Sequence, residues 1–301
     1  MTLYPYQQTA VDEIRFIYKT SSKRVLLHLA TGGGKTHIFS HIIKATSENG
    51  KKCIMVVRGR ELVKQASRRL DHEGVDHGIM MANHWRNRPK LPVQICSIDT
   101  LARRKIVPEA DLVVIDEAHM AASTGYYWLA QQMKDAFFLA VTATPYCKKS
   151  LTHIAEKIVH PITIKELIDQ GFLVPCRHYA PNTPDMKGVR TKNGDYDLDD
   201  LENKMNVLTG DIVNHYKEHG EGRAAICFAV NVRHSHYILN QFNSAGVKCE
   251  HMDANTPDEE REAIFGRLKC GDTRVITNVG ILGTGVDLPF VSCIIMARPT
   301  K

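Results

Sequence analysis

A glycine-rich turn at residues 30–36, with the sequence ATGGGKT, contains the residue types that bind phosphate. Three consecutive glycines let backbone N–H groups turn toward phosphate oxygens: Gly32, Gly33 and Gly34. Lys35 can reach the terminal phosphates of a nucleotide, and the hydroxyl of Thr36 can ligate Mg²⁺. Leu29 stands where the strict pattern has its first glycine, so the match is incomplete. The apolar run before the turn and the helical pattern after it still predict a phosphate site.

An acidic pair, Asp116 and Glu117, follows an apolar run at residues 112–115. Such a run predicts a buried strand, whose C-terminal end would deliver both carboxylates to the sheet edge where ligands bind. We expect Asp116 to be the protein partner of Mg²⁺, and Glu117 to orient and deprotonate an attacking water. An acidic pair after a strand is by itself often only a helix N-cap, so this interpretation depends on the phosphate loop.

The elements that must position these groups are short Val-, Ile- and Leu-rich runs that alternate with amphipathic stretches. The runs predict strands at residues 25–29, 53–57, 93–97, 112–115, 138–141, 224–229, 247–251, 273–277 and 293–297. The amphipathic stretches predict helices at residues 61–70, 234–245 and 257–269. This alternation is typical of an α/β fold in which helices cover parallel sheets, and it occurs twice along the chain. We therefore expect two tandem doubly wound domains.

Four prolines between residues 161 and 184 indicate a connecting segment. We predict a first domain at residues 1–160, a linker at residues 161–205 and a second domain at residues 206–301. An acidic stretch at residues 194–202 lacks the glycine and the glutamate of a calcium loop, and we interpret it as a turn and a helix N-terminus.

The net charge of +6 is unevenly distributed, because residues 1–160 carry +9 and residues 161–301 carry −3. A basic half is compatible with a nucleic-acid partner, although charge spread over a whole domain can equally be a solvated surface. The eight cysteines are scattered without a C-x-x-C pair, which argues against a zinc ribbon and a disulfide framework. No stretch is apolar enough to span a membrane and no signal peptide is apparent, so we expect a protein of a reducing cytoplasm.

Further segments at residues 3–7, 56–62, 97–103, 116–119 and 142–145 accompany the phosphate loop in a fixed order. Together they resemble the first motor domain of the superfamily 2 helicases of the DEAD/DEAH-box type. The strand at 226–229 and the segment at 277–289 resemble motifs IV and V of the second RecA-like domain of that family. Residues 165–175 resemble the linker of the branch that includes restriction-enzyme motor subunits, excision-repair helicases and phage DNA helicases.

The resemblance implies a role for each residue that matches a motif. Gln7 would read the adenine edge, although it can equally be a surface residue, and Thr31 belongs to the phosphate loop. Asp287 would lie near the ribose, while Thr142 and Thr144 would couple the ATP state to the grip on the strand. The residues implied to contact phosphate and sugar are Gly59, Arg60, Thr100 and Arg103 in the first domain and Thr277 in the second. Arginines and threonines at strand ends also make ordinary loop hydrogen bonds, so both interpretations stay open.

The resemblance implies an ATP- and Mg²⁺-dependent DNA helicase or translocase. It would act as a monomer on single-stranded, forked or branched DNA in replication, recombination or repair, in a bacterial or phage-infected host cytoplasm. A motor subunit of a restriction complex, an RNA helicase, and a DNA-binding module with impaired ATP turnover are the alternatives. The motif VI pattern Q-x-x-G-R-x-x-R, whose arginines reach the γ-phosphate, does not occur in the 301 residues. We therefore expect a second domain that is truncated and a turnover that is weak.

Two groups of residues stand outside these motifs. The cluster at residues 85–90 joins a tryptophan to three cations, and a shorter run at residues 103–105 has three cations but no aromatic residue. The first cluster can stack on a base or wedge a DNA junction, or it can be a solvated loop. His215 and His219 are four apart on a predicted helix, but without a third ligand nearby we expect no metal site and no structural zinc.

Overall fold

The computed structural model describes residues 2–82, 84–145, 150–180, 187–192, 195–196, 212–283 and 288–298. The chain forms two compact units, Met1–Arg177 and His178–Lys301. Their division falls within the segment predicted as a linker. Across the described ranges, no helix has both the length and the apolar character needed to cross a membrane.

The first unit is built on one seven-stranded sheet. Its strands are β1 (Arg24–His28), β2 (Cys53–Val57), β3 (Gly78–Met80), β4 (Val93–Ser97), β5 (Leu112–Ile115), β6 (Phe137–Thr142) and β7 (Lys157–Val159). Its helices are α1 (Pro5–Thr20), α2 (Lys35–Glu48), α3 (Arg60–His72), α4 (Ile98–Arg104), α5 (Thr124–Gln132) and α6 (Ile164–Asp169). The strands pair in parallel in the order β3-β4-β2-β5-β6-β1-β7. The predicted α/β architecture is therefore confirmed for this unit.

Successive residues of β1 enter two different cores, as the alternation of side chains along a strand requires. Val25 and Leu27 pack in a core that also contains buried residues of α1, α2 and α3. Leu26 packs in the opposite core, to which α4 and α5 contribute. Burial on both faces explains why the inner strands read as continuous apolar runs instead of alternating patterns.

Helix α6 belongs to the first unit, although the sequence places it in the linker. Thr163 caps the helix: its hydroxyl accepts a hydrogen bond from the Glu166 amide, and the Glu166 carboxylate accepts one from the Thr163 amide. Leu167 is buried in the same core as Val25 and Leu27. The chain therefore remains packed on the first sheet for about two turns of helix beyond the predicted boundary at residue 160.

The second unit contains a four-stranded parallel sheet. Its strands are β10 (Ala225–Phe228), β11 (Cys249–Met252), β12 (Val275–Asn278) and β13 (Cys293–Met296), in the order β11-β12-β10-β13. Its described helices include α7 (Val232–Ser244) and α8 (Asp258–Cys270), and a helix that ends in the π-helical turn Tyr216–Gly220 precedes β10. A separate antiparallel pair is formed by β8 (Thr191–Lys192) and β9 (Asp195–Tyr196). The prediction of a turn and a helix start at residues 194–202 is therefore wrong for residues 195–196, which form a strand. The rest of that stretch lies outside the described residues.

Candidate nucleotide and nucleic-acid site

The glycine-rich turn connects the end of β1 to the first residue of α2, as predicted for a phosphate loop. Gly32 and Gly34 have φ values of 80° and 82°, in the left-handed region that favours glycine. Lys35 begins α2, and its Nζ donates to the backbone oxygens of Leu29 and Ala30, each at 3.2 Å. The ammonium group is thus folded over the loop that would surround a phosphate. Thr36 lies in the same first helical turn, and Thr31 is exposed on the loop.

Helix α1 packs directly against this loop through two residues of its first turn. The Tyr6 hydroxyl donates to the backbone oxygen of Gly33 at 3.0 Å. Gln7 is buried, and its Oε1 accepts a hydrogen bond from the Tyr4 amide at 3.0 Å. A Cβ atom on Gly34 would collide with Nε2 of Gln7, so this amide lies against the phosphate loop. The predicted contact of Gln7 with adenine stays a prediction.

An aromatic group borders the phosphate loop. The ring of Phe172 lies 4.7 Å from that of Tyr4 and 5.2 Å from that of Tyr6, measured between centroids. The next residue, Leu173, approaches Gly32 so closely that a Cβ there would contact its Cδ2 at 2.8 Å. Neither residue was predicted from the sequence, because both fall in the segment predicted as a linker. The only signal available was the apolar pair itself, which follows the glycine at position 171.

The acidic pair lies at the C-terminal end of β5. The Asp116 side chain is only 11% exposed, and its Oδ1 accepts a hydrogen bond from the Glu117 amide at 2.9 Å. Burial raises the pKa of Asp116 and the Glu117 charge raises it further, whereas Arg69 and Lys35 lower it. Glu117 has a left-handed backbone with φ of 50°, which an L-residue adopts at a cost in free energy. A strained residue at this position is consistent with a functional role.

Arg69 of α3 joins the acidic pair, and nothing in the sequence analysis identified it. Its Nη1 lies 3.5 Å from Oδ2 of Asp116. Burial lowers the pKa of Lys35, and the charges of Asp116 and Glu117 act in the opposite direction. The structure therefore brings two cations and two carboxylates together at the phosphate loop. No local motif surrounds Arg69, so sequence patterns offered no signal for it.

A chain of polar contacts leads from the acidic pair to β6. His119 Nδ1 lies 3.4 Å from Oε2 of Glu117 and 3.1 Å from Oγ1 of Thr142. The Thr142 hydroxyl is buried and also accepts a hydrogen bond from the Thr144 amide at 3.1 Å. The two threonines predicted to couple the ATP state to strand grip are thus connected to Glu117 through His119. Thr142 contributes its side chain to this chain of contacts, whereas Thr144 contributes its backbone.

Four residues predicted to contact nucleic acid follow the C-terminal ends of the neighbouring strands β2 and β4, at the start of α3 and within α4: Gly59, Arg60, Thr100 and Arg103. Both arginines are exposed, and Gly59 has a φ of 91°. Arg58 Nε lies 3.8 Å from Oδ1 of Asp99, a weak link between the two segments. The two segments that carry these residues therefore follow adjacent strands, and their contact with nucleic acid stays a prediction.

The second unit contains two predicted site residues, Thr277 and Asp287. Thr277 lies within β12, is fully buried, and donates its hydroxyl to the backbone oxygen of Glu250 at 3.3 Å. In this conformation its side chain is inaccessible to a nucleic acid, so the predicted phosphate contact is not supported. Its burial follows from its position in β12, all four residues of which are buried. Asp287 lies outside the described residues.

The basic cluster at residues 85–90 is partly structural. Arg86 donates to the Asp71 carboxylate at 2.8 Å and to the backbone oxygen of His77 at 3.0 Å, and its side chain is only 13% exposed. Arg88 Nη1 lies 3.7 Å from Oδ1 of Asp76. Trp85, by contrast, is 80% exposed. The anchored arginine therefore holds a loop that presents the tryptophan to solvent.

Two family models match the chain. The model described as type III restriction enzyme, res subunit, matches residues 1–147. The model described as helicase conserved C-terminal domain matches residues 203–301. The first match contains the phosphate loop and the acidic pair, and the second contains the sheet of the second unit.

Curated relatives cover almost the whole chain. A 51.5 kDa protein of Lactococcus phage (isolate 7-9) is 27% identical over 274 residues, which are 90% of this chain and 58% of the phage protein. The Saccharomyces cerevisiae protein IRC3, provisionally named an ATP-dependent helicase, is 29% identical over 328 residues, covering 99% of this chain and 47% of IRC3. The chain thus spans about half the length of the curated relatives it matches.

A solved structure shares the fold. The helicase domain of Pyrococcus furiosus Hef aligns with a TM-score of 0.57 and 15% identity, over 98% of this chain and 89% of that domain. This likeness confirms tandem RecA-like domains for the fold. On the two family matches and the relatives, the chain belongs to the superfamily 2 helicases, a family of ATP hydrolases, in the branch related to restriction-enzyme motors and repair helicases.

Proposed function

We propose that this protein is an ATP-dependent DNA helicase or translocase that couples ATP hydrolysis to unwinding or to remodelling of forks and junctions. The observation that carries the proposal is the meeting of Lys35, Asp116 and Glu117 at the C-terminal ends of β1 and β5. Phosphate-binding and carboxylate groups at this edge of a parallel sheet are the requirements for phosphoryl transfer. A site of this kind can serve many nucleotide-binding proteins. Membership of a helicase family favours a motor function among them.

The residues present fit a magnesium nucleotide. The left-handed glycines keep the loop free of side chains, Lys35 bends over it, and Asp116 is an oxygen ligand of the kind that Mg²⁺ prefers. Mg²⁺, when bound, would neutralise charge on the phosphates, held by Asp116 and the Thr36 hydroxyl. Glu117 would accept the proton of the attacking water, and His119 would relay the position of Glu117 to Thr142. Gln7 and the Tyr4, Tyr6 and Phe172 rings would border the base.

DNA is the proposed nucleic acid. A relative named DNA 3'-5' translocase XPB2, from Sulfurisphaera tokodaii, is 22% identical over 312 residues that cover 89% of this chain and 69% of XPB2. The exposed Arg60 and Arg103 offer two cations at one sheet edge, and such contacts to phosphate are independent of sequence. Trp85 adds a large aromatic surface on which a base can stack.

The test is ATPase activity of the 301-residue chain with single-stranded, duplex, forked and four-way DNA and with RNA of matched sequence. We expect stimulation by at least one DNA and little by RNA. The Glu117→Gln variant, which keeps the shape of the side chain, serves as the control for contaminating ATPases. Stimulation by RNA alone would overturn the choice of DNA, and tight Mg-ATP binding by a Lys35→Ala variant would overturn the motor itself.

A motor subunit of a restriction complex is the second candidate. It is favoured by the family model of the first domain, which is that of a restriction enzyme subunit, and by 26% identity over 209 residues to the EcoAI endonuclease subunit of Escherichia coli. The two functions differ in what happens to the duplex. A duplex translocase displaces a third strand from a triplex without separating a fork, whereas a helicase separates the fork. Running both substrates with the same protein distinguishes them.

A further inference from the structure

Three metal-ligating side chains meet in the second unit, away from the nucleotide site. They are His215, Glu218 and His219, at the end of the helix that precedes β10. One potential ligand atom from each lies within 4.8 Å of the other two. No metal site was expected from the sequence, because a third ligand beside the two histidines was not recognised. That premise is wrong, since Glu218 lies in the same turn.

The local helix geometry explains how one turn collects all three groups. Positions i, i+3 and i+4 share a helix face, and residues Tyr216–Gly220 form a π-helical turn that keeps the two histidines nearly in line. Their rings are almost parallel, 8° apart, with centroids at 5.9 Å. Tyr179 also stacks on His219, with centroids 3.9 Å apart and ring planes 5° apart. The His219 ring therefore has an aromatic neighbour that favours its present orientation.

The distances within the cluster are close to those of a metal site. Glu218 Oε2 lies 3.9 Å from His219 Nε2, too far for a hydrogen bond. Around a tetrahedral Zn²⁺, with bonds of about 2.0–2.2 Å, ligand atoms lie roughly 3.3–3.6 Å from one another. Metal binding would require rotations about side-chain bonds that bring the three ligand atoms, now within 4.8 Å of one another, closer together.

A second, independent observation points to a ligand. The Nδ1 atom of His215 is buried and has no hydrogen-bond partner among the residues that the structure describes. Buried polar atoms are nearly always paired, because leaving one unpaired costs about 1–3 kcal/mol. A bound ion at this nitrogen would satisfy it.

We propose that His215, Glu218 and His219 form a binding site for Zn²⁺ or a similar divalent transition metal, with water as the fourth ligand. Two imidazoles and one carboxylate favour zinc-like ions over Mg²⁺, which prefers oxygen ligands alone. The site is therefore distinct in chemistry from Asp116 and does not depend on the proposed motor function. A bound metal ion would link three side chains of the helical turn, including His219, on which Tyr179 stacks. It would thereby stabilise the second unit.

The experiment titrates Zn²⁺ into the EDTA-treated chain by calorimetry and repeats it with Co²⁺, whose visible absorption reports nitrogen and oxygen coordination. We expect one equivalent bound, with Mg²⁺ unable to compete. Glu218→Gln should weaken binding about tenfold, and His215→Ala combined with His219→Ala should abolish the stoichiometric step. His72→Ala, at a histidine whose side chain is 77% exposed, is the matched control and should bind as the parent does.

Folding is controlled separately, because His219→Ala also removes the stack with Tyr179. Circular dichroism of each variant establishes that it is folded, and Glu218→Gln alters an exposed side chain that the structure does not use for packing. Zinc should raise the thermal midpoint of the parent chain and not that of the double variant. Equal affinity in the parent and the double variant, or no stoichiometric binding by the parent, would overturn the proposal. Neither result bears on ATP turnover.

Discussion

Arg69 Nη1 lies 3.5 Å from Oδ2 of Asp116, so the carboxylate expected to hold Mg²⁺ is paired with an arginine from α3. An ion pair at a partly exposed position is worth up to about 1 kcal/mol. The guanidinium and a metal ion would compete for the negative charge of the same carboxylate, so we expect the pair to oppose metal binding by a small amount. Arg69 is thus placed to adjust how much Mg²⁺ the nucleotide site requires.

We predict that Arg69→Gln lowers the Mg²⁺ concentration for half-maximal binding of a fluorescent ATP analogue by about threefold, the equivalent of roughly 0.6 kcal/mol. Arg68→Gln is the matched control, because Arg68 is exposed on the adjacent position of the same helix. A higher Mg²⁺ requirement in Arg69→Gln would show instead that the guanidinium holds the phosphates. An unchanged Mg²⁺ requirement would mean that the ion pair does not contribute to the free energy of metal binding.

Variants of Lys35 and Glu117 should affect different steps: the first ATP binding, the second ATP hydrolysis. Lys35→Ala removes the ammonium group over the phosphate loop and should abolish ATP binding. Glu117→Gln should leave nucleotide binding intact and slow hydrolysis by about 10²–10⁴-fold, the usual contribution of a general base. Equilibrium binding and single-turnover hydrolysis measure the two effects. Full hydrolysis by Glu117→Gln would move the role of base to another residue.

Thr142 and Thr144 should differ in their effects. Thr142→Val removes the hydroxyl that contacts His119 and Thr144, and should cost about 1–3 kcal/mol of unfolding free energy through the unpaired groups it leaves. It should also reduce DNA stimulation of the ATPase more than the basal rate. Thr144→Val leaves the backbone contacts in place and should retain stimulation. If basal and stimulated rates fall by the same factor in Thr142→Val, the contact chain does not couple the two activities.

Trp85 permits a direct optical test of DNA contact, because the chain has two tryptophans and the other, Trp128, is partly buried against a core. In a Trp128→Phe variant, we expect single-stranded DNA to quench the fluorescence of Trp85. The reciprocal Trp85→Phe variant should show little change on adding DNA. Trp85→Ala should weaken binding by about 1–3 kcal/mol, the range for loss of one base stack. Quenching of equal size in both single-tryptophan variants would speak against a local contact.

Glu250 should stabilise the second unit in a pH-dependent way. Arg267 donates to both oxygens of its carboxylate, at 3.0 and 2.6 Å, and these bonds lower the pKa of Glu250. Because the folded pKa is lowered, the stabilisation is complete above the unfolded value of about 4.3 and is lost as pH falls through the folded value. Glu250→Gln should therefore lose about 1–2 kcal/mol of unfolding free energy at neutral pH.

Urea denaturation of the parent and Glu250→Gln chains at two pH values checks this expectation. The difference between them should shrink at about pH 3, where the carboxylate is protonated in the unfolded chain. Glu259→Gln, at an exposed position on α8, is the control and should change little at either pH. A difference that persists undiminished in acid would assign the effect to packing instead of charge.

The inner strands were predictable because burial on both faces leaves continuous apolar runs. Residues 53–57, 93–97 and 112–115 match β2, β4 and β5 at both ends. The two outermost strands, β3 and β7, were missed because each has only three residues, too few to form a recognisable pattern. In β7, for example, Lys157 and Ile158 are exposed, so only the pairing with β1 identifies the strand. Such pairing depends on tertiary structure and leaves no local pattern.

The residues of the candidate site also fall into two groups: those that the sequence predicts and those that only the fold brings together. Lys35 and the acidic pair lie in contiguous motifs, where spacing alone indicates the chemistry. Arg69 and Phe172 reach the phosphate loop from α3 and from beyond α6, and only the folded sheet brings them there. Glu218 was within reach of sequence reasoning, because a helical turn places i+3 beside i and i+4.

Strand β1, which carries the phosphate loop, lies between two strands that occur much later in the chain. Its partners are β6 at residues 137–142 and β7 at residues 157–159. During synthesis, the ribosome must therefore deliver more than a hundred further residues before β1 can be enclosed on both sides. Parallel pairings of such long range are slow to form and leave strand edges exposed meanwhile. A stall or a premature stop before β7 would thus release a chain with β1 unpaired on one side and prone to aggregation.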